Sequence, residues 1–241
     1  MFRKSLKAAV CVLAAGTALA ACGPLKPGAA AIVGHDRITD AKLDSAVTQW
    51  SKELPKYPEA QQLVQKAQAD ARAAAEGQPA SPSDPNEVKP FDPSSPQRSA
   101  LFLMIAIRSW DEVGREKGLI PNPGQVDAFL AKAGGPAGLN TSMVAQGLPT
   151  SYSDDFARTV MIQQALLARY GGGTADQQAE QMAEQRMVGD LVGVQRKLRI
   201  SVNPRYGSFD KDMRFGSICP RLSTPDSGTP DHTAGEVKCQ V

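Results

Sequence analysis

In mid-chain, Leu101-Phe102-Leu103-Met104-Ile105-Ala106-Ile107 places seven apolar residues in succession and leaves no polar face. A strand could carry such a run, but the pattern continues past strand length. Trp110 and Val113 follow at helical spacing, and Gly118 is a stop. Ser95 before Pro96 fits an N-cap followed by a proline in the first turn. The pattern predicts a central helix over 96–117 that the other segments must wrap.

Those segments carry amphipathic periods of their own. Ile32 and Val33 before Gly34-His35-Asp36 predict a small hairpin or two short extended pieces over 29–38. Thr39 caps a helix whose Leu43, Ala46, Val47, Trp50 and Leu54 share one stripe, and Pro55 ends it. Pro58 opens an Ala- and Gln-rich helix to about Glu76. Its only large apolar residues are Leu63 and Val64, so it is expected to bury little and to project or lie on the surface. Six prolines within 77–97, among Ser, Asp and Asn, predict a disordered or extended linker inserted between two helices that pack together.

Downstream, Asn122 and Pro123 start a short helix with Val126, Phe129 and Leu130 inward, broken at Gly134-Gly135-Pro136. Residues 141–146 make a turn or two, closed by Gly147. Ser151 with Asp154 is like a capping box for a helix over 152–170, with Phe156, Val160, Gln163, Leu167 and Tyr170 as its stripe. Gly171-Gly172-Gly173 reads as a hinge. Thr174 with Gln177 caps a last long helix to about Arg199, which offers Met182, Met187, Leu191, Val194 and Leu198 for packing. Ile200 and Val202 suggest a short strand, Asn203-Pro204-Arg205-Tyr206-Gly207 a turn, and residues after about Asp212 a Pro/Gly/Ser-rich tail. With aromatics at only 5%, this is a mainly α protein with a modest core and short β pieces near both ends.

The N-terminus bears on compartment. Arg3, Lys4 and Lys7 precede a short apolar run from Ala8 to Ala21, which is too short to span a bilayer and has the shape of a secretory signal. Leu19-Ala20-Ala21-Cys22-Gly23 resembles a bacterial lipobox. The resemblance implies that Cys22 takes a diacylglyceryl group of palmitate-like chains and becomes the first mature residue. An ordinary signal with an incidental cysteine is the alternative. Two acyl chains, at about 0.8 kcal/mol per buried CH₂, provide stable attachment. The chain is thus expected at the extracytoplasmic face of the cell membrane, held there by lipid.

Charge then changes meaning. The chain has 27 Lys+Arg against 25 Asp+Glu, but three of the basic residues belong to the signal. A near-neutral remainder without a Lys/Arg run argues against nucleic acid as a partner. Cys11 leaves with the signal, and outside the cytosol Cys219 and Cys239 read as a disulfide. Its loop closure would add roughly 3 kcal/mol. A metal site with Asp231 and His232 is the competing reading, and it lacks a second close pair of ligands.

The order of elements resembles the N-terminal domain of SurA-like periplasmic chaperones, relatives of the PrsA foldase lipoproteins. Ala31-Ile32-Val33-Gly34-His35-Asp36-Arg37-Ile38-Thr39 is similar to the family's opening V-x-G-x-x-I-T. Leu101 to Val113, running into Glu116-Lys117-Gly118-Leu119-Ile120-Pro121, is similar to its L-I-x-x-x-L-I-x-x-x-A-x-x-x-G-I-x-V-S segment. The short helices ending in Tyr152-Ser153-Asp154-Asp155-Phe156-Ala157-Arg158, and the terminal V-N-P-R-Y-G-S-F-D, continue the likeness. It covers 29–210 apart from the linker. The expected organisation is a signal over 1–21, a tether over 22–28, the helical domain over 29–210 and a tail over 211–241. The parvulin isomerase domain of many family members has no room here, so isomerase activity is not carried over.

Enzyme signals are thin. There is no G-x-S-x-G, H-E-x-x-H or G-x-G-x-x-G, and the chain's histidines are His35 and His232. His35 beside Asp36 has no assigned nucleophile. No cofactor or metal and no catalytic residue is expected. The resemblance implies a non-catalytic chaperone that binds exported unfolded polypeptides. Candidate client contacts are Trp50, Phe102, Trp110, Phe129, Tyr152 and Phe156, each of which is most simply read as core. The alternatives are a scaffold holding one folded envelope protein and, further off, a prolyl isomerase.

Overall fold

A computed structural model of the chain describes residues 27–75, 95–132, 136–173, 176–209 and 215–216. In chain order these form β1 (Ala29–Val33), β2 (Asp36–Thr39), α1 (Asp40–Glu53), α2 (Pro58–Ala75) and α3 (Pro96–Lys117). There follow α4 (Pro123–Lys132), α5 (Pro136–Ala145), α6 (Ser153–Arg169), α7 (Gln177–Leu198), β3 (Ser201–Val202), β4 (Ser208–Phe209) and β5 (Phe215–Gly216). The described residues are mainly helical with a few short strands, as the periodicity predicts. The expected signal, Cys22, most of the linker, Gly134-Gly135, Thr174, Cys219, Asp231, His232 and Cys239 lie outside them.

The local chemistry at the ends of α3 fixes its bounds. Ser95 Oγ accepts from the Arg98 amide at 3.3 Å, and Pro96 occupies the first turn. At the other end Gly118 adopts φ 66°, letting its amide reach Arg115 O and the Leu119 amide reach Gly114 O at 2.8 Å. Both bonds of a Schellman close are present. Along α3, Leu101, Met104, Ile105, Ile107, Trp110 and Val113 are buried, each contributing roughly 1.5–3 kcal/mol by removal from water.

The expectation of a helix wrapped on every side is corrected at Phe102, which is 41% exposed. At 100° per residue an unbroken apolar run points in every direction in turn. With β1, α1, α6 and α7 packed on α3, Phe102 keeps part of its surface in solvent.

The two ends of the domain meet in one sheet of order β2-β1-β3, all antiparallel. Gly34, at φ 61° in the first position of the two-residue turn, meets the demand of a type II′ hairpin. Its amide donates to Leu198 O at 2.8 Å, which satisfies a terminal carbonyl of α7. A Cβ there would stand 2.9 Å from Leu198 Cδ2, so Gly34 serves both the turn and the close approach. Asn203 continues the pairing through Ala30 O, and the buried Tyr206 accepts at its carbonyl from Arg98 Nε at 3.0 Å. The β4–β5 pair carries the chain to Gly216, inside the stretch expected as tail.

Several local expectations change. Helix α2 does pack: Ala60 and Val64 are buried against Trp50, Val144 and Ala145, while Leu63 faces out. Helix α5 is longer than the expected one or two turns. Ser151 does not cap α6; its hydroxyl donates to Gln49 Oε1 at 3.1 Å, and a short turn over Thr150–Tyr152 leads in. The inward stripe of α6 centres on Phe156, Thr159, Ile162 and Leu166, rotated from the expected Gln163 and Leu167. Helix α7 is capped by Asp176, which accepts from Gln178 and Ala179, and Met182 is 47% exposed.

Candidate functional site

Among the described residues, clefts lie beside α3 and at the corner that follows it. The first lies between the β1–β2 turn, the C-terminal half of α3 and the end of α7, with a volume of about 340 Å³. Most of its lining is charged. Arg115 pairs with Glu112 at 2.6 Å and Lys197 with Glu116 at 2.9 Å, while Arg108 donates to Met104 O at 2.8 Å. His35 and Asp36 line it too. No group of three His, Cys, Asp or Glu fit to hold a metal occurs among the described residues.

The second cleft, of about 380 Å³, is built by the corner between α3 and α4. After the Schellman close, Leu119 turns inward onto Trp110, Val113, Ile162 and Leu166, so the next residue, Ile120, turns outward and is 44% exposed. Asn122 and Gln125 then cap α4 reciprocally: Gln125 N donates to Asn122 Oδ1 at 2.9 Å and Asn122 N to Gln125 Oε1 at 2.8 Å. Val126 and Leu130 dock α4 on Ala157 of α6. Ile120, Pro121, Pro123 and Val126 thus form an apolar base, with Asp127, Asp154 and Arg158 around it.

These three charges differ in their commitments. Arg158 donates to Asp155 Oδ1 at 2.5 Å and stands 4.0 Å from Asp111 Oδ1. Burial pushes the Asp111 carboxyl above the usual range, against the pull of Arg158, and its Oδ1 accepts no hydrogen bond. Asp127 and Asp154 are exposed and make no hydrogen bond or ion pair among the described residues.

The six candidate contacts do not form one surface, although Tyr152 and Phe156 share a cluster. Trp50, Trp110 and Phe156 are buried in three different clusters, and Trp50 Nε1 donates to Val144 O at 2.7 Å. Tyr152 is half-buried with Lys42 Nζ 5.9 Å from its ring centre. Phe129 is half-buried beside Val126 and Leu130, and Phe102 faces solvent. Sequence reasoning missed Ile120, Pro121 and Pro123 as a surface. The signal was there: Leu119 and Ile120 are apolar residues straight after a helix stop, and the prolines at 121 and 123 bias Ile120 and Asn122 away from helix.

No family model, curated protein or solved structure matches this chain. No helix among the described residues is long and apolar enough to cross a membrane.

Proposed function

We propose that this protein is a lipid-anchored extracytoplasmic chaperone of the SurA/PrsA-like kind, lacking catalysis, that holds segments of exported unfolded polypeptides. The supporting observation is the open apolar cleft at the α3–α4 corner, where Ile120, Pro121, Pro123 and Val126 offer a surface without a fixed pattern of hydrogen-bonding groups. Such a surface suits many sequences, because burial of apolar area is non-directional. The charged cleft, crossed by the Arg115–Glu112 and Lys197–Glu116 pairs, suits this role less. Cys22 supplies the anchor and keeps the cleft near the point where exported chains emerge.

The purified protein should slow aggregation of a reduced test protein at near-stoichiometric ratio, and Ile120→Asp should abolish the effect while keeping the helical signal. No protection at several-fold excess would remove the proposal. Labelling of cells with a radioactive fatty acid tests the anchor, with loss of label expected in Cys22→Ala alone. The exposed Leu63 on α2 favours a second reading, a scaffold for one folded envelope protein. Recovery of a single stoichiometric partner from membrane extract, rather than a spread of exported proteins, would select it.

A further inference from the structure

We propose that the cleft at the α3–α4 corner selects polypeptide segments in which an apolar residue is flanked by lysine or arginine. This rests on the reading that the cleft takes unfolded polypeptide, and adds the class of sequence it prefers. The apolar base carries no sequence information beyond size, so discrimination falls to the charged rim. Arg158 is committed to Asp155 and lies beside Asp111, which leaves it little positive charge to offer a ligand. Asp127 and Asp154 are different: both are exposed, and neither has a partner among the described residues.

The two carboxylates come from separate helices, α4 and α6, held at one rim by the packing of Val126 and Leu130 on Ala157. The first turn of a helix favours an acidic residue through the helix dipole, which accounts for Asp154 without any ligand. Asp127 lies beyond the first turn of α4 and has no such account. A segment whose apolar side chain enters the cleft brings its neighbours over this rim. Lysine or arginine there meets two unpaired carboxylates, and glutamate or aspartate is repelled by them.

The test uses the full chain in mild detergent and three fluorescent peptides of one length. All share a Leu-Phe-Leu centre, flanked by lysine, serine or glutamate. Anisotropy at low salt should rank lysine over serine over glutamate, with a lysine-to-glutamate ratio of roughly fivefold to tenfold, the scale of a few exposed ion pairs. The ratio should collapse in about 1 M salt, where the screening length falls to ~3 Å. Asp127→Asn with Asp154→Asn should bring the affinities for the three peptides together. Equal binding of all three by the wild type, or an unchanged ratio in the double variant, overturns the charge selection and leaves polypeptide binding standing. Binding of none overturns the reading beneath it. The salt titration of the wild type judges the proposal even if the variant fails to fold.

Discussion

Gly114 lies on the buried side of α3, where that helix meets α6 and the corner residue Ile120. A Cβ at this position would stand 2.7 Å from Ile162 Cδ1, 3.2 Å from Ile162 Cγ1 and 2.8 Å from Ile120 Cδ1. Ordinary carbon contacts begin near 3.5 Å, so both side chains must give by the better part of an ångström, about 0.8 Å. Ile120 is partly exposed and can swing, but Ile162 is fully buried in the cluster of Trp110, Val113, Leu166 and Val194. Gly114→Ala gains about 1 kcal/mol of helix propensity. Overpacking at Ile162 costs about 1–3 kcal/mol, so a net loss of roughly 1 kcal/mol is expected.

Gly189→Ala and Gly193→Ala on α7 are the matched controls. Nothing lies within 4 Å of a Cβ at either site, so each should gain stability by about 0.5–1 kcal/mol. Urea titrations followed by circular dichroism and tryptophan fluorescence give all three. If Gly114→Ala proves as stabilising as the α7 pair, the close approach of α3 to α6 is not present and the seat of Ile120 is wrong.

Three further outcomes follow from buried and half-buried polar groups. Asp190 receives hydrogen bonds from Lys117 Nζ at 2.7 Å and from the Tyr170 hydroxyl, tying α7 to the ends of α3 and α6. Burial raises its carboxyl, but these bonds together outweigh burial and hold it below the usual carboxylate range, while the Asp190 bond raises Lys117 against its own burial. Stability from Asp190 is therefore present above the unfolded carboxylate pKa and lost as pH falls through the folded one. Asp190→Asn should cost about 1 kcal/mol at neutral pH in denaturant titrations and nothing at the acid end. Asp111 has the opposite sign: with its folded pKa raised, it penalises the native state as pH rises through that value, so Asp111→Asn should be neutral or slightly stabilising at pH 7 by thermal melting. Trp50→Phe removes the donor to Val144 O inside a small cluster and should cost about 2 kcal/mol, read as a lowered urea midpoint with unchanged slope.

The bounds of α3 were legible because each end carries its own chemistry, Ser95-Pro96 at one and Gly118 at the other. Thr39 and Asn122 announced α1 and α4 in the same way, since a capping side chain acts within three residues of itself. Where a cap needs a distant partner the pattern misled. Ser151 has the spacing of a capping box, yet its hydroxyl goes to Gln49, a contact between residues far apart in the chain. The packing of α2 was hidden for a related reason. Ala60 contributes too little apolar surface to mark a stripe, but its small size lets the helix approach Val144 and Ala145.

The cleft needed more than periodicity. Trp50, Trp110 and Phe156 look from sequence like large adhesive surfaces, and folding uses all three to fill separate parts of the interior. What stays outside is set by a single alternation. Leu119 packs inward beside the Schellman turn, Ile120 stays partly exposed with its Cδ1 over Gly114, and Pro121 keeps the segment before it out of helix until α4 begins at Pro123. The exposed apolar surface is therefore a consequence of how the central helix ends. One residue more in α3 would carry Gly118 and the corner after it about 100° around the helix axis, so Leu119 would leave its seat in the buried cluster and the cleft would not form. By this reasoning, inserting one alanine before Gly118 should abolish peptide binding while leaving the helical content nearly unchanged. Peptide binding retained in that variant would mean that the site lies elsewhere.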